Sequence, residues 1–310
     1  MTVQDSMLRT IGNTPVVRLS RVVPDGAADV LVKLEWFSPT GSYKDRMALA
    51  MIENAERRGD LRRGMTVVEY TGGSTGGSLA YVCAVKGYRF RVVSSDAVAE
   101  EKLRTMVAFG AELTIVESIG GKVTPDLVPR MIAKAAEYAA EPDTYWTDQL
   151  NNRDALDGYR QIGTEFLTQV GVPIDAFCAT VGTAGLTMGV SSALHDGGSQ
   201  ARIALLELSQ SPVISGGEAG PHDVEGIGIG FIPPLLDADL YDEVRLVDRD
   251  TGLAMTRRLA AEEGLLAGVS TGCNIAGAIT LAQEIGPGRT VCTVAVDTGL
   301  KYLAGDVFRS

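Results

Sequence analysis

The chain has 310 residues, 45% of them hydrophobic, enough for two domains with sizeable cores rather than one. Against 28 Lys and Arg stand 39 Asp and Glu, a formal charge of −11 that excludes a nucleic-acid scaffold and favours solubility. Two histidines and four cysteines without a C-x-x-C pair exclude a multi-histidine metal centre and argue against disulfides or zinc, so no metal is expected.

Taken in chain order, strands alternate with helices. Strands are predicted at Val30 to Leu34, Thr66 to Glu69, Phe90 to Ser94, Glu112 to Val116, Phe177 to Val181, Ile203 to Leu208, Glu243 to Val247 and Thr290 to Val296. Helices are predicted at Lys44 to Arg58, Ser78 to Lys86, Ala99 to Phe109, Asp126 to Ala140, Asp154 to Gln169 and Thr251 to Glu263. Such alternation predicts an α/β fold of mostly parallel sheets covered by helices. Glu141 to Asn152 reads as the crossing between two domains, 1–150 and 151–310. The N-terminus has no basic and apolar signal segment, and no stretch approaches the ~18 apolar residues of a membrane span. A cytoplasmic location with no membrane or nucleic-acid partner is the expectation.

Four segments carry chemistry. Pro39-Thr40-Gly41-Ser42-Tyr43-Lys44-Asp45-Arg46 presents a lysine where a helix begins. Thr71-Gly72-Gly73-Ser74-Thr75-Gly76 follows a strand and lets backbone N–H groups approach an anion. Gly182-Thr183-Ala184-Gly185-Leu186 forms a second such cradle, without the lysine of a nucleotide-hydrolase loop and without a dinucleotide fingerprint. In Gly268-Val269-Ser270-Thr271-Gly272 a serine stands at another helix entrance. His195 ends an apolar helix and His222 lies in a polar stretch, and neither context suggests a chemical role.

In this order the segments resemble the fold-type II pyridoxal phosphate enzymes, specifically the cysteine synthase (O-acetylserine sulfhydrylase) and cystathionine β-synthase family. The likeness extends to Ile11-Gly12-Asn13-Thr14-Pro15, to Val224-Glu225-Gly226-Ile227-Gly228 and to Asp297-Thr298-Gly299-Leu300-Lys301-Tyr302-Leu303. It implies two α/β domains with pyridoxal 5′-phosphate in the cleft between them, the first ~40 residues packing partly on the later domain. It also implies that Lys44 carries the cofactor and moves the Cα proton, that Gly182, Thr183, Ala184, Gly185 and Leu186 hold the phosphate, and that Ser270 faces the pyridine nitrogen.

By the same likeness, Thr71, Gly72, Ser74, Thr75 and Gln149 bind the substrate carboxylate, with Ser74 also near the cofactor and Gly226 lining the substrate site. Glu225 is a candidate for proton transfer at the leaving group. The implied reaction is β-replacement on serine or an O-activated serine through an aminoacrylate, with sulfide or another small nucleophile, in a homodimer. A dehydratase or deaminase, and a cofactor-binding regulatory protein with little turnover, stay open as alternatives. The chain departs from the family pattern at Gly72, Ser74, Ala184 and Leu186. The short residues at 72 and 74 predict open space beside the carboxylate loop.

Overall fold

The computed structural model describes residues 3–121 and 126–309. They group into two compact units, one of residues 1–11 and 44–158, the other of residues 12–43 and 159–310. Residues 151–158, assigned to the later domain from sequence, cluster with the first unit, whereas 12–43 cluster with the second.

The first unit holds a four-stranded parallel sheet in the order β5-β4-β3-β6: β3 (Thr66–Tyr70), β4 (Arg89–Ser95), β5 (Glu112–Val116) and β6 (Thr144–Trp146). All five residues of β3 are buried, as the β-branched run Thr66-Val67-Val68 suits a strand covered on both faces. Strand β6 lies within the stretch read as an interdomain crossing; its three half-buried residues are too few to show a period. Helices α1 (Lys44–Arg58), α2 (Ser74–Lys86), α3 (Glu100–Ala108) and α4 (Leu127–Ala139) surround the sheet. In α1, Met47, Ala48, Met51, Ile52 and Ala55 recur at helical spacing and are fully buried. On the α4 face, Leu127, Met131 and Ala135 pack with Val68, Tyr70 and Val93. Helix α2 begins at Ser74, four residues before the start expected from sequence, and ends on Gly87 in the left-handed conformation at φ 78°.

The second unit holds a six-stranded sheet in the order β1-β2-β10-β7-β8-β9. Its members are β1 (Val16–Arg18), β2 (Asp29–Leu34), β7 (Ala176–Thr180), β8 (Arg202–Leu208), β9 (Glu243–Val247) and β10 (Thr290–Ala295). Only the edge strand β1 is antiparallel to its neighbour. Strand β2 lies parallel to β10, with Val32 opposite Thr293, although more than 250 residues separate them. The remaining helices are α5 (Asp154–Gln169), α6 (Gly185–Asp196), α7 (Arg249–Arg258) and α8 (Val269–Ile285). The helix expected to run from 251 to 263 changes at Leu259 into a wider π-type turn, Leu259–Glu263. The Glu263 carboxylate accepts the backbone N–H groups of Ser20, Arg21 and Val22. No described helix is long and apolar enough to cross a membrane.

Candidate active site

In both units the glycine loops leave the carboxyl ends of parallel strands, where ligands of open α/β sheets collect. Within the second unit, three of these segments converge. The turn before Lys44 is tied to the end of β10: Tyr43 N–H donates to the Val296 carbonyl (2.9 Å), Thr298 N–H donates to that of Gly41 (3.0 Å), and the Ser42 hydroxyl donates to Asp297. Gly41 stands at φ 71°, and a Cβ there would lie 2.7 Å from the Thr298 methyl, so glycine is required. The turn before Ser270 is tied to the same strand end, through Gly268 N–H to the Asp297 carbonyl and Gly299 N–H to that of Leu266.

The phosphate-type loop joins this cluster through Tyr159. Its ring stacks on Tyr43 at 5.4 Å between centroids, and a Cβ on Gly185 would meet the same ring at 3.0 Å. Burial pushes the phenols of Tyr43 and Tyr159 well above their ordinary range, so both stay neutral donors. Asn274, one turn beyond Ser270, donates to the Val294 carbonyl and accepts the Thr180 N–H, both at 2.7 Å, which fixes the start of α8 between β7 and β10. Ser270 itself is buried, and the first turn of α8 contains no acidic residue.

The loop from Gly182 to Leu186 has the form of an anion site. No side chain caps α6, so the N–H groups of its first turn point outward with the positive end of the helix dipole. Ala184 sits at φ 64°, a strained conformation for a residue with a Cβ and one that the glycine of the family pattern adopts freely. Gly182 abuts the loop of Glu225 and Gly226: Gly228 N–H donates to the Val181 carbonyl at 3.1 Å, and a Cβ on Gly182 would fall 2.2 Å from the Gly226 oxygen. Both Glu225 and Gly226 are exposed. His222 grips this loop at the Gly228 carbonyl (2.8 Å). The side chain of His195 is exposed and lies 3.9 Å from Asp196.

In the first unit, Lys44 is the first residue of α1 and is buried, together with Asp45 and Arg46. A lysine at the positive end of a helix dipole gains nothing in stability from that position. Thr71 accepts the Gly73 N–H on its hydroxyl (3.1 Å), and Gly73, not Ser74, is the cap of α2. Thr75 donates its hydroxyl to Gln149 Oε1 (2.7 Å), which joins two residues 74 positions apart in the chain.

The space expected beside Gly72 is filled. A Cβ at 72 would meet Val98 Cγ2 at 2.9 Å, so the apolar residue of the β4–α3 loop stands where a serine side chain would go. Gly72→Ser is therefore expected to lower amino-acid affinity severalfold, and Val98→Ala in the same chain to restore it; substrate titration of the single and double variants checks this.

Glu69 was not among the residues singled out from sequence, although an acid inside the otherwise uncharged strand Thr66–Tyr70 was a signal. It is fully buried, and its carboxylate accepts the Thr147 hydroxyl (2.7 Å) and the N–H groups of Gln149 and Tyr70 (both 3.0 Å). Burial pushes its carboxyl up to about 7 and Asp148 adds to the push, while the three donors oppose it. Raised in the folded state, this group lends stability that is fully present below its unfolded value and is lost as pH rises through about 7. Tyr159, Asn274 and Val98 likewise carry no motif of their own.

The sequence pattern of pyridoxal-phosphate dependent enzymes matches residues 7–297. The chain belongs to that family. Relatives of this pyridoxal phosphate enzyme include the cysteine synthase of Staphylococcus aureus, 43% identical over 306 residues, covering 98% of this chain and 97% of that one. Among solved structures, O-acetylserine sulfhydrylase isoform 3 of Entamoeba histolytica superposes with a TM-score of 0.92 at 29% identity, covering 100% of this chain and 92% of that one. O-ureido-L-serine synthase superposes with a TM-score of 0.90 at 34% identity, covering 99% and 96%. Pyridoxal phosphate is the cofactor, and the N–H groups at the start of α6, which no side chain caps, fit an anion such as its phosphate. Among the described residues, no group of three or more His, Cys, Asp or Glu side chains is placed to hold a metal ion.

Proposed function

We propose that this enzyme performs β-replacement on serine or an O-activated serine, with sulfide or another small nucleophile as the second substrate. The observation that carries the reading is the convergence, around Tyr159 and the end of β10, of the turn before Lys44, the turn before Ser270 and the phosphate-type loop. The cysteine synthase and O-acetylserine sulfhydrylase relatives support the same chemistry.

Each residue then has a task. The N–H groups from Thr183 to Leu186 and the Thr183 hydroxyl hold the phosphate, and Gly182 lets the loop close on Gly226. Pyridoxal phosphate, when bound, supplies the electron-withdrawing ring that lets a Cα proton and a Cβ substituent leave. Lys44 would hold the cofactor through its amine, and the same amine, when free and neutral, would be the base for the Cα proton. Ser270, buried at the start of α8 with no acidic residue in that turn, would offer the ring nitrogen a neutral hydroxyl rather than a proton. That would favour expulsion from Cβ over chemistry that needs a long-lived carbanion. Thr71, the backbone of Gly72, Ser74, Thr75 and Gln149 receive the substrate carboxylate, with backbone donors and the start of α2 supplying positive potential.

Screening serine, O-acetylserine and O-phosphoserine, with and without sulfide, while following cofactor absorbance tests the proposal. Cysteine as product supports it; pyruvate and ammonia as the only products would move the enzyme to the dehydratases. Exposed Glu225 beside Gly226 is the proton donor to poor leaving groups in this scheme. Glu225→Gln is therefore expected to lose about tenfold more activity with serine than with O-acetylserine, because acetate departs without a proton. Equal losses with both substrates would remove that role.

A further inference from the structure

Gln149 is held at two points. Its backbone N–H donates to Glu69 Oε2, and its side chain spans the hydroxyl of Thr75 (2.7 Å at Oε1) and the carbonyl of Tyr70 (3.4 Å from Nε2). The neighbouring Thr147 donates its hydroxyl to the same Oε2 and its N–H to the Val68 carbonyl (3.1 Å). Asp148, between them, takes the left-handed conformation at φ 46°, one that aspartate tolerates better than most residues. Its carbonyl accepts the N–H groups of Asn151 and Asn152, so Glu69 adds to a turn that is also closed locally. One carboxylate thus gathers the end of β3 and the segment after β6, and Gln149 passes the constraint to the first turn of α2. All three groups that meet Glu69 are uncharged donors, and the nearby charged group, Asp148, has its own sign. A fully buried acid in that setting is costly to keep, and a hydrophobic residue would pack into the strand at lower cost.

We infer that Glu69 is a positioning residue for the substrate carboxylate: it touches neither substrate nor cofactor, and it fixes the 147–149 turn so that the Gln149 amide stands at Thr75. This inference rests on the reading, proposed above, that Thr71 to Thr75 and Gln149 receive the carboxylate. Glutamine cannot replace the ionised Glu69, the form that prevails above about pH 7, in this role. A carboxylate offers only acceptors, whereas an amide would turn an NH₂ group toward at least one of the three donors.

The test uses the holoenzyme and three variants, Glu69→Gln, Gln149→Ala and the pair together. Each is titrated with serine, O-acetylserine and O-phosphoserine, and the half-saturating concentration is read from the cofactor absorbance or from initial rates with sulfide. Each single substitution is expected to raise half-saturation about tenfold, the scale of one lost hydrogen bond to a charged group, with the rate at saturation falling less than threefold. The double variant should resemble Gln149→Ala alone to within about twofold, since Glu69 acts through Gln149. A purely structural Glu69 would instead give penalties that multiply to about a hundredfold, or a lower melting temperature with half-saturation unmoved; either result overturns the inference.

Two outcomes separate this inference from the reading beneath it. If Gln149→Ala weakens binding and Glu69→Gln does not, the carboxylate site stands and the positioning role falls. If Gln149→Ala has no effect, both fall. Should Glu69→Gln fail to fold, Thr147→Val removes one donor while leaving the carboxylate in place. It is expected to raise half-saturation severalfold, and an unchanged value would overturn the role of Glu69.

Discussion

Lys44→Ala is expected to lower turnover by about three orders of magnitude or more while leaving the fold intact. General acid–base catalysis by a placed side chain contributes roughly 10²- to 10⁴-fold, and loss of the covalent link to the cofactor adds to that. The fold should survive because the lysine sits at the first position of α1, where its charge opposes the helix dipole and alanine is a better helix former. The purified native protein should be yellow, and borohydride reduction should fix the cofactor to a peptide containing Lys44. In Lys44→Ala the colour should weaken or shift, and reduction should leave the cofactor removable on denaturation. Melting temperature, absorbance and mass spectrometry of the reduced peptide check this together. A variant with full turnover, or a label on another lysine, would end the assignment of Lys44.

Gly182→Ala is expected to cost about 10- to 100-fold in retention of pyridoxal phosphate, with a smaller loss of thermal stability. The new methyl would fall 2.2 Å from the Gly226 carbonyl oxygen, a backbone atom that no rotamer change can move. Overpacking of this kind costs roughly 1–3 kcal/mol. Relief requires the loop from Val224 to Gly228 to swing out, which breaks the Gly228 N–H bond to Val181 and displaces Gly226 from the cradle. Ala184→Gly is the useful contrast, since glycine relieves the backbone strain at φ 64° without a clash. Dialysis against buffer, followed by cofactor absorbance, separates the two: Gly182→Ala should bleach faster than the native enzyme and Ala184→Gly should not. Equal retention in all three would mean that the 182–186 loop does not hold the phosphate.

Much of the secondary structure was legible in the sequence because each long element carries its own period. The apolar spacing of α1 and the alternation of strands with helices needed no partner to be read. So did the glycine loops and the lysine at a helix start, since backbone reach and dipole direction follow from residue type and local order. Short elements did not declare themselves. Strand β6, three residues long, is defined only by its pairing with β3. The sequence also placed the start of α2 late, because Ser74 to Gly77 contains two glycines that favour a loop by propensity, and packing against β3 and α1 overrode it.

The sequence by itself determined the fold class and the cofactor family and marked the glycine loops proposed as the ligand site, all of which depend on local order and residue type. Only the tertiary structure decided which residues support those loops. Tyr159 between Tyr43 and Gly185, Asn274 between β7 and β10, Glu69 behind Gln149 and Val98 over Gly72 lie far in sequence from what they touch. Their roles come from pairings such as β2 beside β10, whose long sequence separation leaves no trace in either segment. The space that the small residue at position 72 predicted was likewise a tertiary matter, because a glycine specifies only that its own side chain is missing and a neighbour filled the volume.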